Sequence, residues 1–254
     1  LREIGGKGLF VKELEEALLN DEIDLAVHSA KDLPAHLPPG FMVAATPSRA
    51  SPFDLFLSFQ PLDEKKRLKV GTSSLRREIQ ILERYPHWEI VPMRGNLDTR
   101  WRKVKEGVVD LIAVAEAGVR RLWGEPPGWY KVADWIIPAP CQGILAIEVA
   151  EKRKDLLSLL EQIHDPSTGI IFDCERRVME KVGGGCLVPL AVLAEIQGER
   201  ITLTARLWDS KGNPQGSFRG EDELSGAIEL AERAAKSLLE GEYLFSIERV
   251  QEEI

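Results

Sequence analysis

Leu68-Lys69-Val70-Gly71-Thr72-Ser73-Ser74-Leu75-Arg76-Arg77 is the stretch on which the fold turns. A short apolar run stops at Gly71, three hydroxyl residues follow, and Leu75, Ile79 and Leu82 then recur at helical spacing. The stretch reads as a strand, Leu68 to Gly71, feeding a helix whose cap is Thr72-Ser73-Ser74. The rhythm repeats downstream. Glu89 to Met93 reads as a strand with Arg94-Gly95-Asn96 as its exit loop, and Asp98 to Lys105 as a helix. Asp110 to Ala115 reads as a third strand, with a short helix ending near Leu122. Strands alternating with helices predict an α/β domain with a mainly parallel sheet covered on both faces. Ligands of such sheets lie outside the carboxyl ends of the strands.

Upstream, Gly5-Gly6-Lys7-Gly8 reads as a loop before a helix carrying Phe10, Leu14, Ala17 and Leu18. Ile23 to Val27 reads as a strand with His28-Ser29-Ala30-Lys31-Asp32 at its carboxyl end. Pro34, Pro38 and Pro39 punctuate a loop before the strand Phe41 to Thr46, and Pro47 to Pro52 is a polar crossing. From about Pro166 the pattern changes. A helix, Ile170 to Val182, meets Gly183-Gly184-Gly185-Cys186. Strands Val188 to Ile196 and Arg200 to Trp208 follow, then a turn at Asp209 to Asn213, a third short strand and an amphipathic helix, Leu224 to Leu239. That is a separate, small α+β domain.

The chain has 254 residues and a net charge of -8. Such a charge gives no global pull toward nucleic acid or an acidic membrane, so an anionic ligand must be drawn by local cations. No apolar stretch reaches the ~18 residues of a membrane span. The three cysteines, Cys141, Cys174 and Cys186, are odd in number and lack C-x-x-C spacing, which favours a reducing cytoplasm over a disulfide scaffold. The four histidines are scattered and offer no metal site.

Three basic clusters stand at strand exits: Arg76-Arg77, Arg94 with Arg100, and Arg120-Arg121. Two arginines in the first turn of a helix oppose its dipole, which points to a purpose other than helix stability. Together the clusters describe a cleft for several carboxylates or phosphates. Ser29, Lys31, Asp32, Ser73 and Ser74 fall at the same sheet edge, Asp32 being a carboxylate kept ionised by the neighbouring cation. Cys186 follows three glycines that let the backbone turn freely and leave its sulfur accessible. Cys141 and Cys174 lie in stretches that read as packed. No nucleotide-binding glycine fingerprint and no G-x-S-x-G elbow is present.

Six stretches, in order, resemble the motifs of the porphobilinogen deaminase family. They are Ile4-Gly5-Gly6-Lys7-Gly8-Leu9-Phe10, Ala26 to Pro34, Gly71 to Arg77, Arg94-Gly95-Asn96, Pro138-Ala139-Pro140-Cys141-Gln142-Gly143 and Gly184-Gly185-Cys186-Leu187-Val188-Pro189. The resemblance covers essentially the whole chain. It implies two hinged, doubly wound domains like those of type II periplasmic binding proteins, residues 1–47 with 144–163 and residues 52–137. A cofactor-attachment domain, residues 166–254, follows. It further implies a dipyrromethane cofactor joined by a thioether to Cys186, with Asp32 as the catalytic carboxylate. Lys31, Ser29, Ser73, Ser74, Arg76 and Arg77 would hold the cofactor, and Arg94, Arg100, Arg121 and Gln142 the substrate. By the same resemblance four porphobilinogen molecules are condensed to hydroxymethylbilane with loss of ammonia, in the cytoplasm, by a monomer whose product passes to uroporphyrinogen-III synthase.

Glu3 stands where many relatives carry lysine, so the resemblance does not extend to a basic contact there. In the family a further segment precedes the position of Leu1. It supplies two strands and a helix of the first domain, and an arginine and a serine facing the cofactor. The sheet holding Ile23 to Val27 is accordingly expected to show unpaired edges, and this chain alone to be inactive without that segment.

The chemistry suits these residues. Each porphobilinogen carries two carboxylates, so a growing chain needs many paired cations. Loss of ammonia leaves a cationic, azafulvene-like pyrrole. A carboxylate about 4 Å from that charge is worth roughly 4 kcal/mol at an effective dielectric of about 20, and it orients pyrrole N–H groups. A two-lobed anion receptor would use the same cleft but gives no role to Asp32 or Cys186. A nucleic-acid binder conflicts with the net charge and the lack of aromatic platforms.

Overall fold

The computed structural model describes residues 6–183 and 188–241. Its helices and strands run, in chain order, α1 (Gly6–Leu19), β1 (Ala26–Ser29), β2 (Phe41–Ala45), β3 (Asp54–Ser58), β4 (Lys69–Gly71), α2 (Leu75–Arg84) and β5 (Glu89–Val91). Next come α3 (Leu97–Lys105), β6 (Leu111–Ala115), α4 (Glu116–Trp123), β7 (Trp129–Ala133), β8 (Leu145–Ala150), α5 (Leu157–Leu160) and α6 (Pro166–Val182). The last are β9 (Leu190–Gln197), β10 (Arg200–Trp208), β11 (Pro214–Glu223) and α7 (Ala227–Glu240).

These form three sheets, and the chain is mixed α/β with a small C-terminal α+β domain, as its pattern predicts. The central sheet has the order β5-β4-β6-β3-β7. Its β5-β4-β6 half is parallel and carries the strand–helix rhythm read from Leu68 to Ala115. The other half differs from expectation, because β3 pairs antiparallel with both β6 and β7. The sheet is mixed rather than mainly parallel. All five residues of β3 are buried, so Asp54-Leu55-Phe56-Leu57-Ser58 lacks the alternation of a half-exposed strand and goes unread between the Pro47 to Pro52 crossing and the strand at Leu68.

The first sheet, β1-β8-β2, is antiparallel throughout. Strand β8 returns from far downstream to lie between β1 and β2. Among the described residues β1 is an edge strand, and Val27 on it is 54% exposed. The glycine-rich start read as a loop is helical from Gly6 onward, since α1 begins there.

In the third sheet, order β11-β10-β9, two antiparallel ladders present Leu190, Val192, Ile201, Leu203, Ala205 and Phe218 to α6 and α7. That core continues into Ala30, Leu33, Cys141 and Ile144, so the C-terminal domain is packed against the end of the first sheet. A second, smaller seam joins it to the helix beside the central sheet, where Ile79 of α2 meets Ile137, Ala191, Leu193 and Trp208. Beside this seam Arg206 makes a bidentate pair with Glu83, both bonds 2.7 Å.

Candidate active site

Strand β1 ends at Ser29, which is exposed, and a single 3-10 turn, Ala30–Asp32, follows. Ala30 is buried and its N–H donates to the Ile144 carbonyl. The turn is thereby pinned to the start of β8, with Lys31 and Asp32 half-buried beside it. Lys31 Nζ donates to Gln142 Oε1 at 3.3 Å. Gln142 is fully buried, and its Nε2 donates to the Pro52 carbonyl at 2.7 Å and to Asp54 Oδ1 at 2.8 Å.

Asp54 opens β3, on the neighbouring sheet, with no exposed surface. It accepts from Arg76 Nη2 at 2.8 Å and from Arg77 Nη2 at 2.7 Å. The two arginines occupy the first turn of α2, where the helix dipole disfavours them. The carboxylate of Asp54 supplies what the sequence position lacks. Burial alone raises the Asp54 carboxyl, but the two guanidiniums outweigh it and hold it well below the usual carboxylate range.

One carboxylate against two guanidiniums leaves positive charge over. Burial depresses the Arg76 pKa. Arg100, half-buried on α3, is lowered by burial and then by the proximity of Arg77. The Lys31 ammonium is lowered to about 8, first by burial and then by Arg77, with Asp54 and Asp32 opposing. Arg77 thus presses electrostatically on both Lys31 and Arg100, and its Nε is buried with no hydrogen-bond partner. A buried guanidinium with an orphaned donor among other cations fits a ligand that brings carboxylates.

The remaining expected residues differ in how they are used. Ser73 is exposed, and its Oγ donates to the Met93 carbonyl at 2.9 Å and accepts from Met93 N–H at 2.8 Å, tying the exits of β4 and β5 together. Ser74 holds the N-cap position of α2 without a side-chain cap bond. Arg94 is exposed at the exit of β5. Arg100 Nε donates to the Gly95 carbonyl at 2.9 Å. Arg121 Nη2 donates to the Gly143 carbonyl at 2.7 Å, beside Gln142, and burial lowers its pKa. Its neighbour Arg120 is bonded to Glu116, Glu125 and Tyr130 instead. Cys186 lies outside the described residues. Cys141 and Cys174 are free and buried, and burial pushes the Cys174 thiol up to about 12. No group of His, Cys, Asp or Glu among the described residues could hold a metal ion.

A second buried pair, with no counterpart among the sequence motifs, joins the C-terminal α6 to the Pro47 to Pro52 crossing. Glu175 of α6 has no exposed surface and accepts from Arg49 Nη1 at 2.9 Å and Nη2 at 3.3 Å. It also accepts from the N–H groups of Cys141 and Ala194. Arg49 Nε donates to the Gln142 carbonyl at 3.0 Å. The residue that links Lys31 to Asp54 is therefore itself held by the anchor of the third domain. Asp54 left one signal in the sequence, a lone acid opening an apolar run, since buried arginines require such a counter-charge; Arg49 left none.

A mixed α/β scaffold whose strand exits bring Lys31, Arg77 and Arg100 toward one carboxylate-bearing turn is of a class suited to small anionic ligands. Known families narrow that class. The model described as porphobilinogen deaminase, dipyromethane cofactor binding domain, matches residues 1–158, and the one described as porphobilinogen deaminase, C-terminal domain, matches residues 171–240. The chain is 41% identical over 249 residues to the porphobilinogen deaminase of Syntrophus aciditrophicus, covering 95% of this chain and 80% of that protein. It is 43% identical over 253 residues to that of Bacillus cereus, covering 94% and 81%. The chain belongs to the porphobilinogen deaminase family. A solved TRAP periplasmic solute binding protein from Desulfovibrio salexigens aligns at 15% identity and a TM-score of 0.39, over 65% of this chain and 62% of that one. Values of that size leave the fold to be read from the chain's own strands.

Proposed function

We propose that the cation cluster around Asp32 is where this chain condenses four porphobilinogen molecules into hydroxymethylbilane with release of ammonia, the transferase reaction of its family. The observation that carries the reading is Arg77. Its buried Nε has no hydrogen-bond partner and its charge is felt by both Lys31 and Arg100, so positive charge is left that Asp54 does not neutralise.

Lys31, Arg77, Arg100 and Arg121 bind the acetate and propionate groups. Ser29, Ser73, Ser74 and Arg94 line the same edge, buried Gln142 supports it from behind, and Arg76 stiffens it. Asp32, next to Lys31, stabilises the cationic pyrrole left when ammonia departs and accepts hydrogen bonds from pyrrole N–H groups. The dipyrromethane, when bound through a thioether to Cys186, supplies the pyrrole carbon to which the growing chain is attached. The protein therefore needs no Ser or Cys nucleophile for elongation, and its own side chains bind, orient and neutralise.

The chain acts as a monomer in the cytoplasm, and uroporphyrinogen-III synthase consumes its product. The absence of C-x-x-C spacing and the two free described cysteines support the reducing compartment. No helix among the described residues is long and apolar enough to cross a membrane. The test is incubation of the pure protein with porphobilinogen. Ammonia should be released with formation of a linear tetrapyrrole. Protein carrying the covalent dipyrromethane that released no ammonia would refute the activity.

A further inference from the structure

Asp54 has no part in binding a carboxylate ligand directly, because it is itself an anion among the cations such a ligand needs. Three donors nevertheless converge on it: Arg76 Nη2 on Oδ2, and Arg77 Nη2 and Gln142 Nε2 on Oδ1, all within 2.8 Å. They come from two distant places in the chain, the first turn of α2 and the segment ahead of β8. Gln142 then passes the order on. With its Nε2 committed to Pro52 and Asp54, its Oε1 faces Lys31 and accepts from Nζ. Without Asp54, one of the bonds that fixes this amide is gone. A flipped amide would turn its donor toward the Lys31 ammonium.

The two arginines do not spend their donors alike. Arg76 gives Nη2 to Asp54 and Nη1 to the Ile137 carbonyl at 2.6 Å, so both terminal nitrogens are used inside the protein. Arg77 gives Nη2 to Asp54, and its Nε is buried without a partner.

We infer that Asp54 is a positioning residue for the anion site. It commits Arg76 to the frame and leaves Arg77, together with a Lys31 aimed through Gln142, to receive a ligand carboxylate. The inference rests on the porphobilinogen reading above and deepens it by dividing the labour between two adjacent arginines.

The substitution Asp54→Asn separates this role from simple competition, since the two predict opposite signs. If Asp54 merely competed for the arginines, losing its charge would make the site more positive and lower KM for porphobilinogen. If it positions them, KM rises about tenfold or more, and by a larger factor than kcat falls. Gln142→Met tests the same chain without changing any charge. It should raise KM severalfold in protein that still folds, with a melting temperature lowered by the loss of its buried hydrogen bonds. Arg77→Gln should raise KM with a smaller fall in melting temperature than Arg76→Gln, which also loses the bond to the Ile137 carbonyl. An unchanged or lowered KM in folded Asp54→Asn overturns the inference. If that variant does not fold, Gln142→Met decides alone, and a wild-type KM there overturns it. Wild-type protein assayed alongside keeps the two claims apart: its failure to consume porphobilinogen would sink the activity and not the geometry.

Discussion

Replacing Arg49 by methionine should cost this protein a large and pH-dependent share of its stability. Arg49 is the only cation bonded to Glu175 among the described residues, and Glu175 has no exposed surface. In Arg49→Met the carboxylate keeps the Cys141 and Ala194 N–H groups but loses its counter-ion. Stranding one member of a buried pair costs roughly 3–5 kcal/mol. For a chain of this size each kcal/mol lowers the melting temperature by about 2–4 °C, so a fall of about 6–20 °C is expected near neutral pH. The sign of the pH dependence follows from burial. Burial already raises the folded-state pKa of Glu175 above its ordinary 4.5, with Arg49 opposing. The native state therefore binds more protons than the unfolded state between those values, and stability falls as pH rises through that window. Without Arg49 the pKa rises further, so the deficit relative to wild type should be large at pH 7.5 and shrink toward pH 4.5. The double variant Arg49→Met/Glu175→Gln should be more stable at pH 7.5 than Arg49→Met alone, despite its extra substitution. Thermal unfolding followed across pH measures all of this. A loss under about 1 kcal/mol, or a deficit independent of pH, would refute the reasoning.

Asp32→Asn keeps the shape of the turn but removes its charge. Folded protein with turnover reduced by roughly a hundredfold or more is expected, and near-normal turnover in a steady-state assay would exclude the charge-stabilising role. Lys31 should lose its proton near pH 8. KM for porphobilinogen should rise as pH passes through that value, because the ammonium that attracts a carboxylate is being neutralised. A flat KM from pH 7 to pH 9 would count against Lys31 as a ligand-binding cation. In Arg77→Gln the repulsion on Lys31 is relieved, so its pKa should move up toward 10.5, measurable by the pH dependence of lysine acylation in peptide maps.

The parallel half of the central sheet was legible because each strand there ends in a turn and feeds a helix with a clear apolar stripe, as at Gly71 to Leu82. Strands β3, β7 and β8 carry no such punctuation. All of β3 and nearly all of β8 are buried, so a two-residue alternation never develops, and their antiparallel partners are remote in sequence. The basic clusters stood out since arginines at helix starts violate a local rule. What local rules cannot show is which charges a cation meets in space. Asp54 lies 22 residues from Arg76, and Glu175 lies 126 from Arg49, so the counter-ions that hold the site together emerge only from the fold. Arg120 and Arg121 make the same point within one turn of helix. Adjacent in sequence, one is bound up with Glu116 and Glu125 and the other reaches the Gly143 carbonyl beside Gln142.

In the proposed function the primer is carried on Cys186, which follows Gly183-Gly184-Gly185. A thioether resists hydrolysis and thiol exchange, so a pyrrole chain tethered there survives repeated cycles. Intact-mass measurement of active protein, followed by peptide mapping, tests this most directly. The protein should be heavier than its sequence by one dipyrromethane, with the added mass on the peptide containing Cys186 and not on those containing Cys141 or Cys174. Cys186→Ser should lose the added mass and the activity together. An active enzyme whose Cys186 is unmodified would contradict the account.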